Sequence, residues 1–353
     1  MNFHPLVIKD VITLTDDAKQ IVFNTPALIQ NKFERQAGQF VSLKLNINGQ
    51  EVRRDYSICT SSANQESFGI GVKRVEGGLV SNHVNDEFKV GDTIEVSEPQ
   101  GRFTYNTPSK QLVLIAAGSG ITPILSILKQ ALNDSSTEQV QLLYSAKSAD
   151  KCMFIDELIA IAGENESKLQ LSFFFSRDKK EAGGGNNVSY REGRIHESFI
   201  QKQLEGNVFD QYANYFICGP EDLILRSQKF LEKNFVRKEN IHFELFTAPT
   251  KSAAASNVTV AEGKSMIKAS LDGTDIELEA DKSKYILEQL MDTELDPPFS
   301  CQGGVCGACM CTVTEGEVEM EDNFTLTDDE IEEGKILACI SRPKSDTIVI
   351  EYE

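Results

Sequence analysis

Short runs in which apolar and polar positions alternate recur through the first third of the chain. Gln39–Leu45, Tyr56–Thr60, Phe68–Val75 and Thr93–Ser97 follow this pattern with turn residues between them. They predict the strands of an antiparallel β-barrel or sandwich over residues 1–106, with one short helix after Gly77-Gly78. From residue 107 the pattern changes. Apolar runs at Leu112–Ala116, Val140–Ala146, Leu169–Ser176, Tyr215–Cys218 and His242–Phe246 alternate with helical periods at Thr122–Leu132, Phe154–Ala162 and Glu221–Asn234. Such alternation predicts βαβ units, and hence an α/β domain with a parallel sheet over 107–247. Residues 258–353 predict a small α+β domain. Its expected strands are Ser265–Leu271, Thr274–Glu279, Thr312–Glu317 and Thr347–Tyr352, its helix is Lys284–Met291, and a cysteine-rich loop interrupts them. Between the last two domains, Pro249–Ser256 is small and polar and reads as a flexible tether within a linker at 248–257. Gly183–Asn187 reads as a loop tip.

Composition narrows the class. The chain has 353 residues, 40% hydrophobic and 25% charged, as expected of folded globular domains rather than a disordered or collagen-like chain. No apolar run approaches the ~18 residues of a membrane-spanning helix. The N-terminus, MNFHPLVIKD, is broken by charged residues before any signal-peptide core, so the expected compartment is the cytoplasm. The net charge is −19, and residues 258–353 carry 7 Lys/Arg against 23 Asp/Glu, so most of the acidity lies in the last domain. That sign argues against a nucleic-acid partner. It suits docking on a basic protein surface, although a negative surface also aids solubility.

Five of the eight cysteines fall between 301 and 339. Cys301, Cys306 and Cys309 are spaced C-x4-C-x2-C, and Cys339 follows after a long return. This is the spacing of plant-type 2Fe-2S centres, in which thiolates hold two irons. Gly303, Gly304 and Gly307 let the backbone wrap closely and turn N–H groups toward the sulfurs. A structural zinc site fits less well, since zinc ligands usually come as paired C-x2–4-C knuckles. Cys311 lies outside the spacing and reads as a packed thiol. The last domain resembles a plant-type ferredoxin of β-grasp fold.

Two further segments carry chemistry. Arg54-Asp55-Tyr56-Ser57 resembles the R-x-Y-S motif of the ferredoxin–NADP reductase superfamily, and Val72–Asn82 resembles that family's phosphate loop and helix start. The resemblance implies that Tyr56 packs on the flavin ring, Ser57 bonds it and Arg54 meets the pyrophosphate. It implies that Gly78 and Ser81 hold the phosphates of FAD, with Lys73 as a candidate phosphate partner. Arg suits this role because its planar fork matches phosphate. Ala117–Pro123, AGSGITP, follows a predicted strand and resembles the family's nicotinamide loop. That likeness gives Gly118 and Gly120 a role at the nucleotide and places Thr122 near the two reacting rings. Cys218-Gly219-Pro220 resembles the C-G-P motif beside the nicotinamide, where Cys218 shapes hydride-transfer geometry without acting as a nucleophile. Arg177, after Ser176, matches a basic residue that binds the 2′-phosphate in NADPH-using relatives, and Lys147 could assist; NADPH is the expected donor, with NADH the alternative. Phe246 sits near the flavin or in the core. The scattered residues His4, His83, His196 and His242 show no ligand spacing.

The order of domains resembles that of the single-chain reductases of multicomponent oxygenases. RRDYSICTSS, VKRVEGGLVSNHV, AAGSGITP and CQGGVCGACMC, in this order, resemble the reductase subunits of phenylacetyl-CoA epoxidases. This implies that NAD(P)H gives a hydride to FAD, which passes electrons singly to the 2Fe-2S centre and on to a di-iron oxygenase docked on the acidic domain. Other acceptors remain open: a Rieske oxygenase, a ketosteroid hydroxylase, a hybrid-cluster protein or a desaturase. A ferredoxin-type carrier with a vestigial flavin domain is the alternative from another class.

Overall fold

The computed structural model describes residues 1–106, 109–178, 186–197, 199–200, 213–246, 263–321 and 323–352. The expected tether at Pro249–Ser256, and most of the expected loop tip at Gly183–Asn187, lie outside the described residues. The chain divides into two compact units, Asn2–Leu245 and Phe246–Glu353.

The first unit holds two sheets. Strands β1 (Phe3–Thr15), β2 (Ala18–Asn24), β3 (Phe40–Ile47), β4 (Gln50–Ser57), β5 (Ser67–Lys73) and β6 (Thr93–Ser97) form an antiparallel sheet in the order β4-β3-β6-β1-β2-β5. The two edge strands meet just beyond β4, where Ile58 bridges Ile70 and the Cys59 N–H donates to the Gly69 carbonyl at 2.9 Å. That closure makes a barrel, filled by Leu6, Ile8, Ile21, Phe23, Val41, Leu43, Phe68 and Ile70, all nearly or fully buried. Removing these side chains from water supplies the main favourable free energy, roughly 1.5–3 kcal/mol each. Helix α1 (Leu79–Glu87) turns Val80 and Val84 into the same core.

Two expectations for this region shift. The strand expected at Tyr56–Thr60 runs instead over Gln50–Ser57 and ends there. Its charged stretch Glu51-Val-Arg-Arg-Asp55 hides the strand pattern, but Arg53 is buried by pairing with Glu51 at 2.8 Å and lying over the Phe3 ring. The strand expected at Phe68–Val75 stops at Lys73.

The second sheet is parallel throughout its described ladders. Its order is β10-β9-β8-β7-β11-β12, from β7 (Gln111–Ala117), β8 (Gln139–Ala146), β9 (Leu169–Phe175), β10 (Val188–Glu192), β11 (Asn214–Cys218) and β12 (Ile241–Glu244). Helix α2 (Ile121–Asn133) links β7 to β8, α3 (Ile155–Glu164) links β8 to β9, and α4 (Glu221–Lys233) links β11 to β12. Leu112, Val113, Leu114, Ile115 and Ala116 are all buried, as a strand covered on both faces requires. The edge strand β10 was not expected: its burial is partial and its sequence, VSYRE, lacks an apolar run. The chain goes from β7 to one side of the sheet and returns to the other with β11. The crevice between the ends of β7 and β11 is therefore the topological switch point, where sheets of this kind bind ligands.

The second unit has a mixed sheet of order β14-β13-β19-β15-β17, built from β13 (Lys264–Leu271), β14 (Thr274–Asp281), β15 (Met310–Glu315), β17 (Lys335–Leu337) and β19 (Thr347–Glu351). A small ladder pairs β16 (Val318–Met320) with β18 (Ser341–Pro343). Helix α5 (Ile286–Leu290) buries Ile286, Leu287 and Leu290 in one core with Ile267, Ile348 and Ile350. Helix α6 (Asp328–Glu332) carries a capping box between Thr327 and Glu330. The strand expected at Thr312–Glu317 lies at Met310–Glu315, because Gly316, at φ 90°, turns the chain where a Cβ would stand 2.3 Å from the Thr347 carbonyl oxygen.

Candidate active site: flavin strand, nicotinamide loop and cysteine loop

Residues from both sheets of the first unit meet at the switch point. Gly118, at φ 57°, and Gly120 form a tight turn between β7 and α2. At Gly120 a Cβ would stand 2.2 Å from the Cys218 carbonyl oxygen, so only glycine lets this turn lie against the end of β11. At Gly219 a Cβ would press on Ala117 at 3.1 Å. Pro220 then caps α4. Thr122 is buried, its hydroxyl donating to the Ser119 carbonyl at 3.0 Å, and its methyl faces β5. At Gly71 a Cβ would stand 2.6 Å from that methyl, so this glycine admits the nicotinamide helix to the barrel. The Tyr144 hydroxyl donates to the Gly118 carbonyl at 3.1 Å and holds the turn from below.

Tyr56 and Ser57 end β4 on the barrel side of the same crevice. Tyr56 is partly exposed, and burial pushes its phenol well above the ordinary range, so it is a neutral, half-open aromatic face. Ser57 is buried and its hydroxyl donates to Glu244 Oε2 at 3.3 Å. Glu244 pairs in register with Cys218 across β12 and β11. It keeps some exposure at the open crevice but stands among enough protein that burial pushes its carboxyl up to about 8; Ser57 opposes this and the Asp55 charge adds to it. Cys218 is fully buried, and burial with the Glu244 charge drives its thiol well above the ordinary range, which agrees with a non-nucleophilic role. Sequence reading did not single out Glu244. Its partner Ser57 is distant in the chain, and a lone carboxylate in a short strand carries no spacing signal.

The phosphate-loop residues lie on and beside α1. At Gly78 a Cβ would stand 2.6 Å from Ser81 Oγ, and that buried hydroxyl accepts from the Val75 N–H at 3.1 Å. A side chain at Gly78 would crowd Ser81 at the N-terminus of α1, where first-turn N–H groups favour an anion. Arg54 is exposed, with its Nη1 donating to the Arg53 carbonyl at 2.7 Å. Lys73 is not a free cation, because its Nζ pairs with Asp17 Oδ2 at 3.4 Å. Arg177 and Lys147 are exposed neighbours at the ends of β9 and β8, joined by the Arg177 N–H donating to the Lys147 carbonyl at 2.8 Å. Phe246 is exposed, outside the core.

In the second unit the antiparallel pair β15·β17 brings Met310 opposite Leu337. That register carries Cys309, just before β15, toward Cys339, just after β17, and the Ala338 N–H donates to the Cys309 carbonyl at 3.2 Å. The thiol of Cys301 lies near those of Cys306 and Cys339, and that of Cys309 near Cys339. Each of the four thiols thus has another of the set beside it. Cys306 first and Cys339 next hold the Cys301 thiol well below its ordinary range. The Gly303 N–H donates to Cys301 Sγ and the Ala308 N–H to Cys306 Sγ, each at 3.4 Å. Gln302, Gly304 and Gly307 all have positive φ, which turns successive amides inward. Neighbouring soft sulfurs with amide donors fit a 2Fe-2S cluster. Cys309 and Cys339 are buried while Cys301 and Cys306 are partly exposed, so one edge of the site faces out. Cys311 points into the core, where burial raises its thiol, in line with a packing role.

Comparison with known proteins agrees with this geometry. Residues 5–105 match an oxidoreductase FAD-binding domain, 114–229 an oxidoreductase NAD-binding domain and 269–344 a 2Fe-2S iron-sulfur cluster binding domain. The chain is 32% identical to one of the subunits of the 1,2-phenylacetyl-CoA epoxidase of Escherichia coli K12, covering 99% of this chain and 98% of that protein. It is 30% identical to the ferredoxin reductase component of the 3-ketosteroid-9-alpha-monooxygenase of Rhodococcus rhodochrous, over 98% and 96% of the two chains. Phthalate dioxygenase reductase, a solved structure described as passing electrons from pyridine nucleotides to [2Fe-2S], superposes with a TM-score of 0.60 at 25% identity, covering 99% and 98%. Among the described residues no helix is long and apolar enough to cross a membrane. The chain belongs to the family of NAD(P)H-dependent, FAD- and 2Fe-2S-binding oxidoreductases that serve as reductase components of oxygenases.

Proposed function

We propose that the chain is the NADPH-dependent reductase of a phenylacetyl-CoA epoxidase, delivering electrons to its di-iron oxygenase component. The observation that carries this reading is the end-to-end similarity to the Escherichia coli epoxidase chain, with flavin strand, nicotinamide loop and cysteine loop all present. FAD, when bound, exchanges electrons with nicotinamide in pairs and with an iron–sulfur centre singly, which is the chemistry the cofactors supply.

The chain's own residues have the tasks of binding and orientation. Tyr56 offers its face to the flavin ring, Ser57 a hydroxyl, and Arg54 and Ser81 hold the pyrophosphate. Gly118, Gly120, Gly219 and Pro220 let the nicotinamide nucleotide approach the backbone at the switch point. Thr122 and Cys218 fix the nicotinamide ring, and both are held by packing. Glu244, predominantly neutral at pH 7, avoids placing a full negative charge beside the nicotinamide. Lys73 is left out of the phosphate set, since anion binding there would have to displace Asp17. Arg177 with Lys147 makes the basic pair that a 2′-phosphate requires, which favours NADPH over NADH. Cys301, Cys306, Cys309 and Cys339 hold the cluster.

The acidic domain would dock on a basic face of the oxygenase near the exposed edge of the cysteine loop, so reduction of the acceptor should slow as ionic strength rises. A ketosteroid monooxygenase or an aromatic-acid dioxygenase acceptor is the second reading, favoured by the full-length similarity to the reductases of 3-ketosteroid-9-alpha-monooxygenase and phthalate dioxygenase. Coupled turnover tests the assignment. Purified protein is mixed with a phenylacetyl-CoA epoxidase oxygenase complex and NADPH or NADH, and nicotinamide oxidation and phenylacetyl-CoA consumption are followed together. Matched consumption supports it. Rapid reduction of artificial acceptors with no loss of phenylacetyl-CoA rejects this acceptor and leaves the reductase chemistry standing.

A further inference from the structure

The strand that carries Tyr56 and Ser57 does not end freely. Its continuation, Cys59–Ser62, is fastened to the second and third turns of α2, the helix whose first turn carries Thr122. Lys129 Nζ donates to the Cys59 carbonyl at 3.2 Å, the Ser126 hydroxyl to the Thr60 carbonyl at 3.0 Å, and the Ser62 hydroxyl to Gln130 Oε1 at 2.8 Å. Ser126 is 1% exposed, and the Lys129 side chain is 17% exposed. Lys129 is itself aimed by a second contact, an ion pair of 2.6 Å with Glu157 on α3. The barrel side of the same segment is rigid, because the Cys59 N–H donates to the Gly69 carbonyl and the Ile58 N–H to the Gln39 carbonyl, each at 2.9 Å.

A second contact sits at the opposite end of α2. Gly71 faces the Thr122 methyl, with Met153 and Phe154 beside it. Phe154 holds a left-handed backbone, φ 60°, which is strained for an aromatic residue and persists only where the surroundings over-determine it. The helix is thus held against the barrel at two points, one at the nicotinamide loop and one two turns further on.

We propose that Lys129 is a positioning residue for hydride transfer: it locks the flavin strand to the nicotinamide helix and so fixes the distance between the two rings. The inference rests on the reading above of Tyr56–Ser57 as the flavin contact and Gly118–Thr122 as the nicotinamide contact. Hydride transfer needs near-contact alignment, and a misplacement of ~1 Å costs on the order of 100-fold. A bond some distance from the chemistry can therefore matter more to the rate than to binding.

The test uses the intact, cofactor-loaded protein and Lys129→Met, which keeps the apolar stem and removes the ammonium. The expected result is a fall in the flavin-reduction rate constant on the order of tenfold to 100-fold, with flavin content and nicotinamide KM within about twofold. Lys129→Arg should retain much of the rate, and Glu157→Gln, which weakens the ion pair that aims Lys129, should slow reduction in the same direction and less than Lys129→Met. Amide hydrogen exchange gives a readout independent of turnover: protection should drop in Ile58–Ser62 and extend to Tyr56–Ser57 in Lys129→Met. If Lys129→Met fails to fold, Ser126→Ala, which removes the neighbouring bond, is expected to slow reduction several-fold in the same pattern. Wild-type reduction and exchange in either folded variant would overturn the proposal, as would a rate loss that simply follows lost flavin. Failure of the wild-type protein to bind flavin or accept hydride would instead overturn the reading of the two contacts.

Discussion

The Ser57 hydroxyl and the Glu244 carboxylate oxygen Oε2 stand 3.3 Å apart, joining residues 187 positions apart in the chain and linking barrel to parallel sheet at the crevice. Burial makes Glu244 pH-sensitive with a definite sign, and the Ser57 bond opposes the shift. Its carboxyl is pushed up to about 8 in the folded protein from 4.5 ordinarily. Between those values the native chain holds a proton that the unfolded chain has released. The associated stability is fully present below the lower value and is lost as pH rises through the higher one. Glu244→Gln, neutral throughout, should therefore melt close to wild type near pH 5 and increasingly above it by about pH 9. Ser57→Ala removes a bond that favours the ionised form and should move the transition to higher pH. Thermal melts across that range check both.

Gly120 predicts a sharp steric outcome. A methyl group there would meet the Cys218 carbonyl at 2.2 Å, so the nicotinamide turn and the end of β11 would have to separate. Gly120→Ala should retain flavin absorbance, lose nicotinamide affinity by tenfold or more, and melt lower by an amount typical of overpacking, about 1–3 kcal/mol. Nicotinamide titration of the oxidised protein, followed by flavin difference spectra, measures the first effect.

The cysteine loop divides its thiols into ligands and packing. Alanine at Cys301, Cys306, Cys309 or Cys339 should abolish the visible iron–sulfur absorbance while leaving the flavin. Cys311→Ala should keep the cluster, because Cys311 points into the core of the second unit among Ile336, Ile350 and Tyr352. Iron and sulfide assays on each purified variant distinguish the two groups.

How much of this was legible in the sequence depended on whether the determining contacts were local. The C-x4-C-x2-C spacing and the strand–GSGITP–helix context are local, and the neighbouring thiols and the tight turn at Gly120 agree with them. The strand Gln50–Ser57 was misplaced because its burial of Arg53 relies on Glu51 and on Phe3 from another strand. Lys73 looked free until the turn bearing Asp17 folded beside it. Glu244 and Lys129 were silent for the same reason: their partners, Ser57 and the Cys59 carbonyl, come from the other sheet.

The basic pair at the ends of β8 and β9 predicts donor choice. Arg177→Gln should lower kcat/KM for NADPH by about 10- to 100-fold, the worth of a charge-assisted phosphate contact of ~1.5–3 kcal/mol. The value for NADH should change little. Lys147→Gln should act in the same direction and more weakly. Steady-state assays with both nucleotides and a soluble artificial acceptor read the ratio directly.

On the proposed function, electrons from nicotinamide reach the four-cysteine site through the flavin of the same chain. An anaerobic titration of the full-length protein with NADPH, followed by visible absorbance and by electron paramagnetic resonance of frozen samples, tests it most directly. In wild type, flavin and cluster should bleach together and the paramagnetic signal of a reduced 2Fe-2S centre should appear, whereas in Cys339→Ala the flavin should bleach alone. A wild-type flavin that bleaches fully while its cluster stays oxidised and silent would contradict it.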